Sequence, residues 1–217
     1  MKALYIFSFI VLLASNSFAG DELCNGGVSV QCGSSYHMLD LIEAGPLYGL
    51  HFEYPASMTR WEILQKVLKA PAIRNSDFGL FLAKYMVNFE SEVRFVSDAE
   101  IMPTNDEGSF LLPNGCQKKV QAAIQFRDPM PFVGKRYVIS KQVWDNMSEQ
   151  DRAGLMLHEF ILRYLMHWPP WNKSLFPIRY MTALALSKEF QDPQSTLLIR
   201  SFDDLLPQIP YTQLPNY

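Results

Sequence analysis

The sequence predicts an α+β fold that is mostly helical and contains a small antiparallel sheet or hairpin. Several stretches place apolar residues at helical spacing behind a Ser or Thr that can cap a helix. Between them, short stretches alternate apolar and polar residues, as half-buried strands do. The length of 217 residues fits a signal peptide at residues 1–19 followed by one globular domain at residues 20–217.

The first 19 residues have the pattern of a cleavable signal peptide. A basic start at Lys2 precedes an apolar stretch at residues 4–13, and small and polar residues follow as far as Ala19. This stretch is about half of the roughly 20 residues that a membrane-spanning helix needs. We therefore expect cleavage after Ala19 and a periplasmic or secreted protein without a membrane span in its mature part.

The charge balance argues against one class of partner. The formal net charge is −3, and loss of Lys2 with the signal peptide makes it one unit more negative. No long run of one sign provides the basic surface that nucleic acid binding requires. We expect no nucleic acid partner. The partner classes left open are a component of the cell envelope, a carbohydrate and another protein.

Alternation and helix caps predict five elements in the first half of the chain. They are a strand at Val28–Cys32, a helix from Ser34 or Ser35 to Gly45-Pro46, a helix from a Thr59–Glu62 capping box to Pro71, a helix from Ser76 through an apolar stripe that includes Phe89, and a strand at Val93–Val96. Residues 101–115 are rich in Pro, Gly, Asn and Asp and predict a loop.

The second half of the chain predicts a hairpin and three helices. The elements are strands at Val120–Phe126 and Arg136–Ile139, a short helix at Val143–Met147 capped by Ser140, a long helix capped by Ser148 that runs to His167, and a helix at Leu175–Phe190 with Pro177 in its first turn. Pro169-Pro170 forbids continuation of the long helix. A Pro-rich tail runs to Tyr217.

The chain contains three cysteines, Cys24, Cys32 and Cys116, and an oxidising compartment favours a disulfide between two of them. A bond between Cys32 and Cys116 would close a loop of about 80 residues, which a chain-entropy model values at about 4 kcal/mol. A bond between Cys24 and Cys32 closes a much shorter loop and stabilises less. The residues alone leave both pairings open, and their spacing does not fit a metal site.

The long predicted helix carries His158-Glu159, a degenerate form of the zincin pattern H-E-x-x-H. Leu162 stands where the second histidine ligand belongs, and catalytic zinc needs three protein ligands. His167 cannot replace it, because nine residues along a helix turn it to about the opposite side. We therefore expect no bound metal, and zinc held through His158 is the alternative.

Helical geometry predicts a structural role for the same residues. Arg152, Glu159 and Arg163 fall on one side of the helix and predict a salt-bridge stripe. His158 lies at the edge of the apolar side, where we expect a neutral imidazole hydrogen-bonded to a buried neighbour. In the alternative, a hydrolase would use Glu159 as general base, His158 as ligand or proton carrier, and Arg163 as an anion contact.

A second candidate surface follows the long helix. Trp168 and Trp171 flank Pro169-Pro170 and could present flat apolar faces to a sugar ring or to another protein. The same two indoles could instead fill the core at a corner between helices. The sequence leaves these two interpretations open.

Short landmarks cover most of the mature chain. They are Asn25-Gly26-Gly27 before a strand ending in Cys32, Leu39-Asp40-Leu41-Ile42-Glu43-Ala44, Pro113-x-Gly115-Cys116, His158-Glu159-x-x-x-Arg163, and Ser174 with Arg179-Tyr180. In this order they resemble a group of uncharacterised exported proteins of Gram-negative predatory bacteria. The resemblance implies a periplasmic or secreted protein in which Cys32 and Cys116 match the landmark cysteines. The chain differs from the group at Val28, where the group has an acidic residue, and at Leu162, where it has an aromatic one.

The sequence as a whole predicts an exported, non-catalytic protein with a binding or structural role. A divergent zincin-like hydrolase that uses His158 and Glu159 is the alternative.

Overall fold

A computed structural model describes residues 23–74, 76–97, 101, 112–130, 134–166 and 175–191. Within these ranges nine helices and seven strands form an α+β fold, which confirms the predicted class. The predicted signal peptide, most of the predicted loop at 101–115, His167, the Trp168 and Trp171 pair and the C-terminal tail lie outside the described residues.

The strands form two small sheets. They are β1 (Leu23–Asn25), β2 (Val28–Cys32), β3 (Ser35–Met38), β4 (Val93–Val96), β5 (Cys116–Gln121), β6 (Ala123–Phe126) and β7 (Tyr137–Ser140). One sheet has the order β1-β6-β7-β4 and the other β3-β2-β5. All pairs are antiparallel except β4 with β7, and β6 with β7 forms the predicted hairpin.

The two sheets meet at Ala122. The prediction of one strand from Val120 to Phe126 is wrong, because the chain leaves one sheet at Gln121 and enters the other at Ala123. The N–H groups of Ala122 and Ala123 both donate to the Gly27 carbonyl oxygen, at 3.0 and 3.2 Å. Successive N–H groups of a straight strand point to opposite sides, so this shared acceptor requires a bend.

The nine helices of the described ranges follow local capping signals. They are α1 (Leu39–Tyr48), α2 (Arg60–Lys69), α3 (Pro71–Arg74), α4 (Asp77–Met86), α5 (Phe89–Glu92), α6 (Lys141–Asp145), α7 (Glu149–Met166), α8 (Phe176–Leu186) and α9 (Lys188–Gln191). The predicted caps of α2, α4, α6 and α7 are confirmed, since Thr59, Ser76, Ser140 and Ser148 each accept a backbone hydrogen bond three residues ahead.

Several predicted helix bounds are wrong, among them that of the short helix predicted at Val143–Met147, which runs from Lys141 to Asp145. Ser35–Met38 pairs with β2 as a strand, so α1 begins later, and it continues through Pro46 to Tyr48. Pro46 removes one donor close to the helix end, where Gly49 in the left-handed region (φ 67°) terminates α1. The predicted helix at 175–190 is divided at Ser187, whose hydroxyl accepts a hydrogen bond from Phe190 N–H in α9. The stripe residue Phe89 belongs to the separate helix α5.

Helix α7 is the centre of the fold. It contacts α1, α2, α4 and α8 as well as β3 and β6, and every residue from Ala153 to Met166 is buried. The buried set includes His158, Glu159 and Arg163, so these polar side chains must find their partners inside the protein. Within the described ranges, no helix has the length and apolar character needed to cross a membrane.

Candidate functional site

His158 lies near the middle of α7 and is 1% exposed. Its Nδ1 is hydrogen-bonded to Oδ2 of Asp40 in the first turn of α1, at 2.8 Å. Asp40 is equally buried. The prediction that His158 hydrogen-bonds to a buried neighbour is confirmed, and that neighbour is a carboxylate 118 residues earlier in the chain.

The carboxylate changes the expected charge of the imidazole. Burial lowers the pKa of His158, but the negative charge of Asp40, its hydrogen bond and the nearby Glu159 raise the pKa further, so the net shift is upward from 6.5. The pair therefore favours the imidazolium. The direction of this shift runs against the expectation of a neutral imidazole, because the sequence does not reveal Asp40 as the partner.

Glu159 is fully buried beside the turn that joins β1 to β2. Its Oε1 accepts a hydrogen bond from Gly27 N–H at 2.7 Å. With its amide nitrogen turned toward Glu159, Gln125 of β6 donates to Oε2 at 2.9 Å and to the Glu159 carbonyl oxygen at 3.0 Å. One carboxylate oxygen is thus bonded to the turn between β1 and β2, and the other is bonded to β6. Burial raises the pKa of Glu159 to about 6, and the charge of His158 and the Gly27 hydrogen bond oppose this rise.

The predicted salt-bridge stripe is wrong. Arg163 Nη1 donates to Glu92 Oε2 at 2.6 Å, and its guanidinium lies 3.6 Å from the centre of the Tyr85 ring. Arg152 donates to Glu149 at 2.6 Å. Helical spacing placed the three side chains correctly on α7, but different segments cover that side of the helix, so each finds a separate partner.

A second buried ion pair lies next to His158 and Asp40. Arg179 of α8 donates to Glu43 Oε1 at 3.2 Å, and both side chains are 3% exposed. Glu43 follows Asp40 by three residues on α1, so one side of this helix presents two carboxylates to cations of α7 and α8. We call the five side chains Asp40, Glu43, His158, Glu159 and Arg179 the buried charge cluster.

Gly26 and Gly27 form the turn between β1 and β2, which we call the glycine turn, and they allow it to approach this cluster. A Cβ atom at Gly26 would lie 2.4 Å from the Ala123 carbonyl oxygen and 2.7 Å from Glu159 Oε1, and a Cβ at Gly27 would lie 2.4 Å from Leu155. No larger residue fits without movement of the backbone or of α7 side chains. The glycine turn, Asp40, Glu43, the His158-Glu159 pair and Arg179, scattered as landmarks in the sequence, therefore meet at one place.

A disulfide joins Cys32 of β2 to Cys116 of β5, with Cα atoms 4.0 Å apart and 84 residues between them in sequence. This is one of the two pairings that the sequence left open, and the one implied by the resemblance. It fastens the sheet that follows the glycine turn.

The described residues contain no group of three or more His, Cys, Asp or Glu side chains that could hold a metal ion. His37 contacts Asp151 and His51 contacts Glu189. The Nε2 atom of His158 is buried and makes no hydrogen bond to any described residue. That nitrogen and the Glu159 carboxylate are the candidate groups for a chemical role in the cluster.

Comparison of the chain with protein-family models, with curated proteins and with solved structures finds no match.

Proposed function

We propose that the chain is an exported protein, periplasmic or secreted, that acts by binding or structural support and not by catalysis. One observation carries this proposal: His158 and Glu159 are at most 1% exposed and are bonded to Asp40, Gly27 and Gln125. A general base must come within hydrogen-bond reach of its substrate. A carboxylate with both oxygens bonded inside the core is better suited to hold the fold together.

The buried charge cluster supports this structural role through the elements it connects. Its contacts join α7 and α8 to α1 and the glycine turn, which lie 118 to 136 residues earlier in the chain. Hydrogen bonds between charged groups are stronger than neutral ones and impose a defined geometry. The cluster therefore fixes how α1, α7 and α8 lie against one another and against the glycine turn.

Export is supported by the signal-peptide pattern of residues 1–19 and by the disulfide, a bond typical of oxidising compartments. We expect a chain expressed in a Gram-negative host to be cleaved after Ala19 and recovered outside the cytoplasm, as shown by the intact mass and the N-terminal sequence. Ala19→Gln should block processing, because the cleavage site requires a small residue. Recovery of the uncleaved parent in the cytoplasm would contradict export.

The alternative is a divergent zincin-like hydrolase. The unbonded Nε2 of His158 and the Glu159 pKa of about 6 favour it, since a general base works best with a pKa near the working pH. In this alternative, zinc would be bound through His158. Arg163 would then have to leave Glu92 before it could contact a substrate anion.

Metal analysis of the purified mature protein separates the two proposals. Stoichiometric zinc that is lost in a folded His158→Ala variant but retained in His37→Ala would support the hydrolase. His37 is the matched control because it is also paired with an aspartate. A parent protein without bound metal supports the non-catalytic proposal.

The binding role can be tested at Trp168 and Trp171. We expect Trp168→Ala and Trp171→Ala to remain folded and to lose retention on cell-envelope material, because exposed indoles supply binding area at low entropic cost. Unfolding of both variants, measured by circular dichroism, would instead assign the indoles to the core.

A further inference from the structure

A groove on the surface of the protein lies between α2 and the end of α4. It encloses about 390 Å³. Its lining is mostly apolar and consists of Trp61, Gln65, Leu68, Ala83, Met86, Val87 and Glu90. On α4, Leu80 lies one turn before Ala83 and is 52% exposed, and Val87 is 82% exposed. Such exposure of apolar side chains at helical spacing marks a surface that binds another element.

The spacing of the lining residues indicates what shape fits the groove. Trp61, Gln65 and Leu68 are spaced four and three residues apart on α2. Ala83 and Val87 of the lining are spaced four residues apart along α4 and its C-cap, and Leu80, which is exposed but outside the lining, lies three residues before Ala83. Two helices that expose such rows side by side accept an amphipathic helix, whose anchors recur with the same period.

The C-terminal part of the chain has this pattern. Leu198, Phe202, Leu205 and Leu206 fall within about 100° of each other at helical spacing. Asp203 and Asp204 flank this apolar stripe on opposite sides, and Pro207 ends the segment. The stripe spans about 12 Å as a helix, close to the distance between Trp61 and Leu68 along α2.

The chain also leaves the described structure close to the groove. Gln191, the last residue of α9, donates a hydrogen bond to the Tyr54 hydroxyl at 2.7 Å. Lys66 of α2 lies 5.5 Å from the centre of the Tyr54 ring, and its neighbour Gln65 lines the groove. The few residues from 192 to 196 can span about 17 Å when extended, which is enough to reach α2.

Charge is complementary at the two helices, and the one carboxylate of the lining, Glu90, is paired with Arg60 at 3.3 Å. Lys69 and Lys84 are exposed, one on each helix, directly after the lining residues Leu68 and Ala83. A helix whose apolar stripe enters the groove carries Asp203 toward one rim and Asp204 toward the other. We propose that residues 196–206 bind in the groove between α2 and α4 of the same chain, with Phe202 as the central anchor.

Disulfide trapping in the full mature chain tests this proposal. In a Cys24→Ser background, mild oxidation should link Ala83→Cys to Leu205→Cys within one molecule, as identified by proteolysis and mass spectrometry. Leu47→Cys with Leu205→Cys is the matched control, because Leu47 is exposed on α1. We expect the control pair to react at least about tenfold more slowly, since docking raises the effective concentration only at the groove.

A variant in the tail sharpens the test. Phe202→Asp should slow formation of the 83–205 bond about tenfold or more, because burial of one large apolar side chain accounts for at least that factor. Tyr211→Asp, outside the docking segment, should not. Amide hydrogen exchange of α2 and α4 should also become faster with Phe202→Asp in the chain without added cysteines.

Three results would overturn the proposal. Equal rates for the two cysteine pairs would mean that the tail has no preferred position. A bond formed between molecules, with a rate that depends on protein concentration, would assign the groove to a second copy of the chain. Amide hydrogen exchange rates in α2 and α4 that do not change in Phe202→Asp would mean that the groove binds another partner and not the tail.

Discussion

The same two side-chain types join the β3–α1 junction to α7 twice, once at the surface and once in the core. His37 contacts Asp151 at 3.2 Å with 43% of its side chain exposed, whereas His158 contacts Asp40 at 2.8 Å with both side chains 1% exposed. His37 and Asp40 are neighbours at the junction, and Asp151 and His158 are about two turns apart on α7. The two contacts therefore differ mainly in their access to water.

This comparison shows that surroundings, more than residue type, set what an ion pair contributes. Asp151 also accepts hydrogen bonds from Met38 N–H at 2.8 Å and from Ser148 Oγ at 2.6 Å, so it stays satisfied without His37. Asp40 Oδ1 has no hydrogen bond among the described residues, and Asp40 depends on His158. Loss of a partner is costly where neither water nor another group can replace it.

Removal of each histidine should give the largest difference between the two sites. His158→Ala should lower the free energy of unfolding by about 3–5 kcal/mol, because it leaves the Asp40 carboxylate buried and unpaired. His37→Ala should lower it by less than about 1 kcal/mol, as expected for a contact open to water. Urea unfolding of both variants at pH 7 measures the difference, and equal losses would refute the comparison.

The pH dependence of stability should come mainly from the buried site. The pKa of His158 is raised, so its contribution is complete below 6.5 and is lost as pH rises through the folded value. The pKa of Glu159 is raised from 4.5 to about 6, so its contribution is complete below 4.5 and is lost as pH rises through about 6. Both groups bind protons more readily in the folded state, and acidification from pH 7.5 to 5 should stabilise the protein.

For Glu159 alone the gain should be about 1 kcal/mol between pH 7.5 and 5, and it should reach about 2 kcal/mol, the equivalent of the full shift in its pKa, only below pH 4.5. Urea unfolding at several pH values measures it, and Glu159→Gln should remove the part of the slope that Glu159 supplies and leave the part that His158 supplies. The hydrogen bond to Asp151 also raises the pKa of His37, so His37→Ala should remove only the small share of that partly exposed group. The pKa values of Glu149 and Glu189 are lowered, so their contributions are lost only as pH falls below about 4.5. A parent protein that loses stability between pH 7.5 and 5 would contradict the assignment.

The glycine turn and its control provide the last comparison. Gly26→Ala should cost about 1–3 kcal/mol, because the added Cβ meets the Ala123 carbonyl oxygen at 2.4 Å and cannot be accommodated by a flexible side chain. Gly45→Ala lies within α1 directly before Pro46, and it should change stability by less than about 0.5 kcal/mol, because the clash of its Cβ with the proline ring offsets the higher helix propensity of Ala. Thermal unfolding should shift to lower temperature for Gly26→Ala and stay nearly unchanged for Gly45→Ala.

The sequence predicts what is local in this fold. Four helix starts follow from hydroxyl caps that act over three residues, and the strand at Val28–Cys32 follows from alternation. The bend at Ala122 depends on the Gly27 carbonyl, which is far away in sequence. The alternation of apolar and polar residues alone therefore predicts one continuous strand. For the same reason α1 was placed too early, because pairing with β2 holds Ser35–Met38 extended.

The candidate site was predicted only in part. The residues His158 and Glu159 were identified from their pattern, but their partners lie 118 and 132 positions away. Helical spacing favours contacts one turn apart, and it assigned Glu159 to Arg163 because no periodicity reports which distant segment covers a helix. Asp40 and Arg179 were visible only as members of landmarks. Their roles emerge from the packing of α1 and α8 against α7.

The pairing of the first strands sets the order in which the chain can fold. Leu23 pairs with Phe126 and Val28 pairs with Gln121, so the earliest strands need partners from the middle of the chain. Long-range pairing of this kind slows folding, because a large loop must close before any contact forms. A chain exported as we propose, with its N-terminus first, would keep the three-stranded sheet incomplete until Gln121 had crossed the membrane and the four-stranded sheet incomplete until Ser140 had crossed. Late pairing would thus keep the polypeptide unfolded while it crosses the membrane.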